Sequence, residues 1–169
     1  MSAQRQLDPE RLGDHIDRLY RAAWGLCGSR EEAEDLVQET FARILRKPRL
    51  IRNEDDLAYL LRALRNTFYS SRRAAARRVQ AALIGDDLEQ VADAAPAAQE
   101  ERLDTTELYG AIAELPPDFR DALVAIDLVG LSYREAARAL HVREATVTTR
   151  LHRARRRLAQ AMASERAPS

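Results

Sequence analysis

Apolar residues along this chain recur at three- and four-residue intervals, the spacing of amphipathic helices. Residues 9–27 predict a first helix, with Asp8 as N-cap and Pro9 at the first helical position. Its stripe is Leu12, Ile16, Leu19, Tyr20, Ala23, Leu26 and Cys27, and Trp24 beside it reads as core. Gly28-Ser29 ends that helix, and Ser29 with Glu32 opens the next through a capping box. The second helix turns Ala33, Leu36, Val37, Phe41, Ile44 and Leu45 inward until Pro48 breaks it. Asn53, with Asp56 three residues on, caps a long third helix over about 54–83, whose stripe is Leu57, Leu60, Leu61, Leu64 and Phe68.

Residues 84–103 lose the period, are acidic and contain Ala and Pro, the composition of a flexible linker. Leu108, Ile112 and Leu115 resume it in a short helix. Pro116-Pro117 stops that helix and starts another, with Phe119, Leu123, Ile126 and Leu128 apolar before Gly130. Ser132 and Glu135 form a capping box for a helix whose small or apolar positions are Ala136, Ala137 and Leu140. His141-Val142 breaks the period, and a last helix starts near Glu144 with Val147, Leu151, Ala154 and Leu158 as its stripe. The tail after Met162 reads as disordered. The expectation is an all-α chain of two small helical domains, 8–83 and 104–163, joined by a flexible acidic linker over 84–103, the C-terminal domain being a helix-turn-helix.

Charge sharpens this division. Residues 1–83 hold 16 basic and 12 acidic side chains, residues 84–118 hold 1 and 10, and residues 119–169 hold 10 and 5. Two basic blocks around an acidic segment point to two nucleic-acid-facing modules on a linker that avoids DNA. The start of the chain has no apolar core of a secretory signal, and no apolar run approaches the roughly 18 residues of a membrane span. One cysteine excludes an internal disulfide, and Cys27 on an apolar stripe is most simply a small buried hydrophobe. Three scattered histidines give no ligand cluster, and no phosphate loop or Ser/His/Asp grouping appears. A reduced, cytosolic, non-enzymatic protein without metal, cofactor or membrane insertion is expected.

Three surfaces carry candidate chemistry. On the last helix Thr148, Thr149, His152, Arg153, Arg155 and Arg156 face away from the stripe. Short hydrogen-bonding groups followed by arginines suit base edges and phosphates in a major groove; a solvated amphipathic helix is the plainer alternative. On the third helix Arg62, Arg65, Tyr69, Arg72 and Arg73 share a face with Ser70 and Ser71 nearby, which suits a sugar-phosphate backbone with splayed bases. On the second helix Glu31, Glu32, Asp35, Gln38 and Glu39 lie opposite the core. The helix dipole accounts for the first two but fades before the other three.

The segment GLSYREAARALHVREATVTTRLHRARRRL resembles the −35-reading helix-turn-helix of bacterial sigma factors, most specifically at Thr146-Val147 and over 150–155. It departs from the family at His141, where Gly is usual, and at Thr148, where a basic residue is common. AEDLVQETFARI resembles the segment by which sigma factors grip the clamp of RNA polymerase, and LLRALRNTFYSSRR resembles the −10 segment of the small extracytoplasmic-function group. ELPPDFRDAL resembles the scaffold of the family's −35 domain. These likenesses span about residues 12–160, with the linker as a gap.

The resemblance implies that Asp35, Gln38 and Glu39 contact core polymerase. Arg62, Arg65, Asn66, Tyr69, Ser70, Ser71, Arg72 and Arg73 would engage the −10 element, and the basic loop 47–53, with Lys47, Arg49, Arg52 and Asn53, would hold a flipped base. Arg143, Thr146, Thr148, Thr149, His152, Arg153 and Arg156 would meet the −35 element. It also implies an anti-sigma factor as partner. The linker's acidity fits either a nucleic-acid mimic or simple solubility. A stand-alone helix-turn-helix regulator is the competing reading, and the clamp-like segment argues against it.

Overall fold

The computed structural model describes residues 4–47, 49–52, 56–84 and 100–166. The helices follow the apolar period with instructive exceptions. Helix α1 (Pro9–Leu12) is capped by Asp8, whose carboxylate accepts from the Glu10 amide at 3.0 Å. It does not run on into α2 (Ile16–Cys27), because a tight 3₁₀ turn intervenes at Gly13–His15. Gly13 has no side chain to anchor and weak helix propensity. The expected stripe breaks there, and Ile16 is left 44% exposed. Helix α2 ends at Gly28, whose φ of 77° is the left-handed C-cap that glycine adopts freely.

Helix α3 (Arg30–Arg46) starts from Ser29, whose hydroxyl accepts from the Glu32 amide. It buries Ala33, Leu36, Val37 and Ile44 as expected, but Leu45 points to solvent and Thr40 is buried in its place. The Thr40 hydroxyl satisfies itself by donating to the Leu36 carbonyl at 2.7 Å, so its burial leaves no orphan group. After α3 the chain forms strand β2 (Leu50–Arg52), paired antiparallel with β1 (Gln4–Gln6). This small ribbon is absent from the helix-only expectation, which the fold otherwise meets. Helix α4 (Asp56–Ala82) then crosses the domain, burying Leu60, Leu61, Leu64 and Phe68.

Most of the expected linker 84–103 lies outside the described residues, but helix α5 (Glu100–Ala113) begins before that stretch was expected to end. Pro117 occupies the first position of α6 (Pro117–Leu123). A π-helical turn follows at Val124–Leu128, closed by the Val129 amide on the Val124 carbonyl at 2.9 Å. The wider turn shifts the register, so Val124, Ala125 and Val129 enter the core while Ile126 and Leu128 are only half-buried. Helices α7 (Tyr133–Leu140) and α8 (Glu144–Glu165) complete the helix-turn-helix.

The two helical units pack on one another through α2. Trp24 stacks on Tyr109 with ring centroids 3.9 Å apart and planes 1° from parallel, a contact worth about 1 kcal/mol beyond the area it buries. Gly25 has no room for a side chain: a Cβ there would lie 2.6 Å from Leu128 Cδ1 and 3.3 Å from Val124 Cγ2.

His141 closes the α7–α8 turn with φ 55° and ψ 43°, the one non-glycine residue with positive φ among those described. It is exposed, so little packing offsets the cost of the left-handed region to a residue with a Cβ. His141→Gly is expected to stabilise the C-terminal domain by about 1 kcal/mol. Urea unfolding of the two proteins side by side checks this, and an unchanged or lowered midpoint contradicts it.

Candidate nucleic-acid interface

Helix α8 is held by its neighbours rather than by its own cap. Ser132 and Glu135 make a reciprocal capping box, with the Ser132 amide donating to the Glu135 carboxylate at 2.7 Å and the Glu135 amide to the Ser132 hydroxyl at 3.2 Å. That box fixes where α7 begins. Buried Ala136 and Ala137 allow the close approach of α8, whose Val147, Leu151 and Ala154 are fully or nearly buried. Arg155 is tied back to the scaffold by a two-pronged bond to Asp127 at 3.0 and 2.6 Å, and Arg150 pairs with Asp118 at 3.0 Å. These two arginines set the rotation of α8 about its axis.

That rotation leaves Thr148, Thr149, His152, Arg153 and Arg156 exposed on one side, with Arg143 exposed at the N-cap and Thr146 half-buried. The hydroxyls of Thr148 and Thr149 donate to the Glu144 and Ala145 carbonyls at 3.0 and 3.1 Å. Their lone pairs stay free to accept, as from a cytosine or adenine amino group. Arg157 lies over the Phe119 ring at 5.1 Å and forms a basic cleft with Arg153, Arg156 and Gln160.

In the N-terminal unit Asp35, Gln38 and Glu39 are exposed on α3. Glu39 pairs with Arg43 at 2.6 Å and also accepts from the Ser71 hydroxyl at 3.5 Å, so the acidic face adjoins the arginine face of α4. Asn66, Arg72 and Arg73 are exposed there, Arg62, Ser70 and Ser71 half-buried. Arg72 rests over Phe68 at 4.9 Å, and Arg73 reaches Ser70 at 3.3 Å. Lys47 and Arg49 are exposed, Arg52 lies in β2, and Asn53 is outside the described residues.

Arg65 and Tyr69 do not join this open face. Both turn to the carboxylate of Asp121 on α6, a residue the sequence pattern did not single out. Arg65 donates to Oδ2 through Nε at 3.1 Å and Nη2 at 2.7 Å. The Tyr69 hydroxyl donates to the same carboxylate at 2.9–3.1 Å and accepts from Arg120 Nη2 at 3.0 Å, while Arg120 Nη1 donates to the Ala113 carbonyl. Burial pushes the Tyr69 phenol above its usual range, and the Asp121 charge adds to that. Only the chemical type of Arg120 and Asp121 was visible in sequence; their burial depends on a surface from the other domain.

Cys27 sits half-buried behind this cluster, and burial, helped by Glu32, pushes its thiol up to about 12. Among the described residues no group of His, Cys, Asp and Glu could hold a metal ion, and no helix is long and apolar enough to cross a membrane.

A helix-turn-helix that presents hydroxyls and arginines, borne on a second helical domain with an arginine face, defines a two-domain DNA-facing transcription protein. Comparison with known proteins makes this particular. The sigma-70 region 2 family matches residues 12–78 and sigma-70 region 4 matches residues 105–158. The chain is 35% identical over 152 residues to the ECF RNA polymerase sigma factor SigE of Mycolicibacterium smegmatis, covering 88% of this chain and 59% of that protein. It is 33% identical to EcfG of Rhodopseudomonas palustris (85% and 78% covered) and 33% identical to SigM of Bacillus subtilis (85% and 88% covered).

Among solved structures, the sigma factor RpoE bound to the anti-sigma factor NepR from Bartonella quintana superposes with a TM-score of 0.71 at 31% identity, covering 93% of this chain and 97% of that one. CnrH in complex with the cytosolic domain of CnrY shares the fold, with a TM-score of 0.65 at 21% identity over 92% and 86% of the two chains. The chain belongs to the sigma-70 family of RNA polymerase sigma factors, in its extracytoplasmic-function group. Members of that family direct transcription initiation to promoters.

With its thiol held protonated, Cys27 is a poor nucleophile. Iodoacetamide at pH 8 is expected to label it at least about a hundredfold more slowly in the folded protein than in denaturant. Equal rates would remove the burial argument.

Proposed function

We propose that this chain binds core RNA polymerase through the exposed face of α3 and directs it to promoters. It does so by reading a −10 element with α4 and the 47–53 loop, and a −35 element with α8. The observation that carries this reading is the exposed α8 face, set by the Asp127–Arg155 tie, on a chain that matches sigma regions 2 and 4 in that order. Asp35, Gln38 and Glu39 give α3 an acidic, hydrogen-bonding surface suited to a basic partner. Exposed Thr149 and His152 meet base edges in this reading, while Arg143, Arg153 and Arg156 neutralise phosphates. Thr146 and Thr148 flank that patch.

The work is recognition and positioning: the protein acts in the cytoplasm without cofactor or catalysis of its own. An anti-sigma factor is its expected antagonist, as in the similar solved complex of RpoE with NepR. Run-off transcription with purified core polymerase on a promoter library tests the whole. Initiation that requires the chain supports it, whereas tight duplex binding without polymerase and no transcription favours a stand-alone regulator.

At residue level, Asp35→Ala with Gln38→Ala is expected to lower affinity for core polymerase while the thermal melt stays unchanged; an undiminished pull-down refutes the clamp face. Changing Thr149 or His152 should shift −35 preference by about 1–3 kcal/mol per base contact. Arg153→Ala should weaken all promoters about equally and reduce the salt slope by about one. Selection from randomised −35 sequences distinguishes these outcomes, and an unaltered preference in all three variants contradicts the assigned helix face.

A further inference from the structure

The 47–53 loop is assigned above to an extruded −10 base, and the inference here rests on that reading. By sequence this segment is a bare basic loop. In the structure its centre is strand β2, paired antiparallel with β1 in the register Gln4↔Arg52, Arg5↔Ile51 and Gln6↔Leu50. The sigma-70 region 2 match begins at residue 12, so β2 lies inside it and β1 lies ahead of it. An element outside the shared domain is therefore built onto a loop within that domain.

A two-stranded ribbon is marginal by itself in water, so each strand needs support from elsewhere. The residues directly after β1 supply it on one side. Leu7 is buried in the core, and the Asp8 carboxylate caps α1, whose Leu12 is buried as well. A chain segment tied down in this way stays ordered next to the tie. Strand β2 is supported from within the domain, where it touches α4.

Holding an extruded base requires a backbone that is fixed before the base arrives. Each residue ordered only on binding subtracts from affinity and weakens discrimination. Pairing with β1 fixes Leu50, Ile51 and Arg52 in extended form through the main chain alone, and exposed Arg49 stands directly before them.

We propose that β1 is a positioning element for −10 selection. Residues 4–6 brace the base-holding loop through main-chain hydrogen bonds and set how sharply it discriminates, without reading a base themselves.

Two variants of the full chain separate backbone from side chain. Gln4→Pro, Arg5→Pro and Gln6→Pro together remove every amide that β1 can donate. Gln4→Ala, Arg5→Ala and Gln6→Ala together keep them all. Leu7 and the Asp8 cap are untouched in both, and circular dichroism establishes that each variant is folded. Trypsin reads the loop directly. Cleavage after Arg49 and Arg52, followed by mass spectrometry, is expected to be about tenfold faster in the proline variant than in the parent, because the loop opens more often. In run-off transcription with core polymerase on promoters randomised at −10, the proline variant is expected to lose about tenfold in discrimination and the alanine variant none. Selection at randomised −35 positions stays parental in both.

Unchanged cleavage in the folded proline variant would overturn the brace. So would an equal loss of discrimination in the alanine variant, or a loss at −35 as large as that at −10. Faster cleavage with −10 discrimination intact also counts against it, and Arg49→Ala with Arg52→Ala then shows which reading has failed. If that pair alters −10 discrimination, the loop assignment stands and the inference about β1 alone is refuted. If that pair too leaves discrimination intact, the loop does not hold the base, and the −10 assignment of the loop falls together with the role of β1.

Discussion

The carboxylate of Asp121 is the point at which the two halves of the molecule are specified relative to one another. It is nearly buried, its hydrogen bonds come from the other domain, through two nitrogens of Arg65 and the hydroxyl of Tyr69, and the neighbouring Arg120 lies 3.8 Å from Oδ1. A buried ion pair of this kind adds little net stability, because desolvating both charges offsets most of the attraction, yet losing one partner costs several kcal/mol. Its effect is therefore on geometry. Any other docking of α6 on α4 strands a charge away from water. Favourable energy for closure comes instead from the apolar seam of Trp24, Gly25, Tyr109, Val124 and Leu128, which is non-directional and would tolerate sliding without the polar cluster.

The same division of labour appears in the helix-turn-helix. Val147, Leu151 and Ala154 supply the burial that holds α8 down, but a helix lying on an apolar stripe can roll by several degrees at little cost. The bond from Asp127 to Arg155 and that from Asp118 to Arg150 remove this freedom. Both pairs are partly exposed, so each is worth under about 1 kcal/mol in stability. Base recognition demands orientation more than stability, and two weak pairs at different heights on one helix provide it. The arginines of α8 thus fall into two sets, those tied to the scaffold and those left exposed. Charge and spacing alone do not distinguish them.

Local rules were legible in the sequence because their causes are local. The Ser132–Glu135 box, the Asp8 and Ser29 caps and the Val147–Leu151–Ala154 stripe all follow from residues within one or two turns. What escaped were features whose cause lies elsewhere in the chain. Tyr69 and Arg65 fall on an arginine-rich face that any periodicity argument turns to solvent, and only the arrival of α6 reverses that. Gly25 looks like a weak spot in a helix until Leu128 is seen against it. The π turn at Val124–Leu128 moved the inward positions by one residue, which a 3.6-residue period cannot anticipate. The candidate DNA surface was thus legible by residue type, whereas its division into open and covered parts was not.

That division has a chemical reason. The groups best suited to grip a phosphate, a guanidinium and a phenol on one helix face, are also those most readily satisfied by a carboxylate. Such groups form an adhesive surface where the two domains meet, and an aspartate on the facing helix makes the meeting specific. Arg72 and Arg73, one turn beyond the reach of Asp121, keep their charge in solvent. The helix therefore has an exposed end and a covered one. The boundary between them is set by where α6 stops, so the residues of α4 differ in availability while sharing one chemistry.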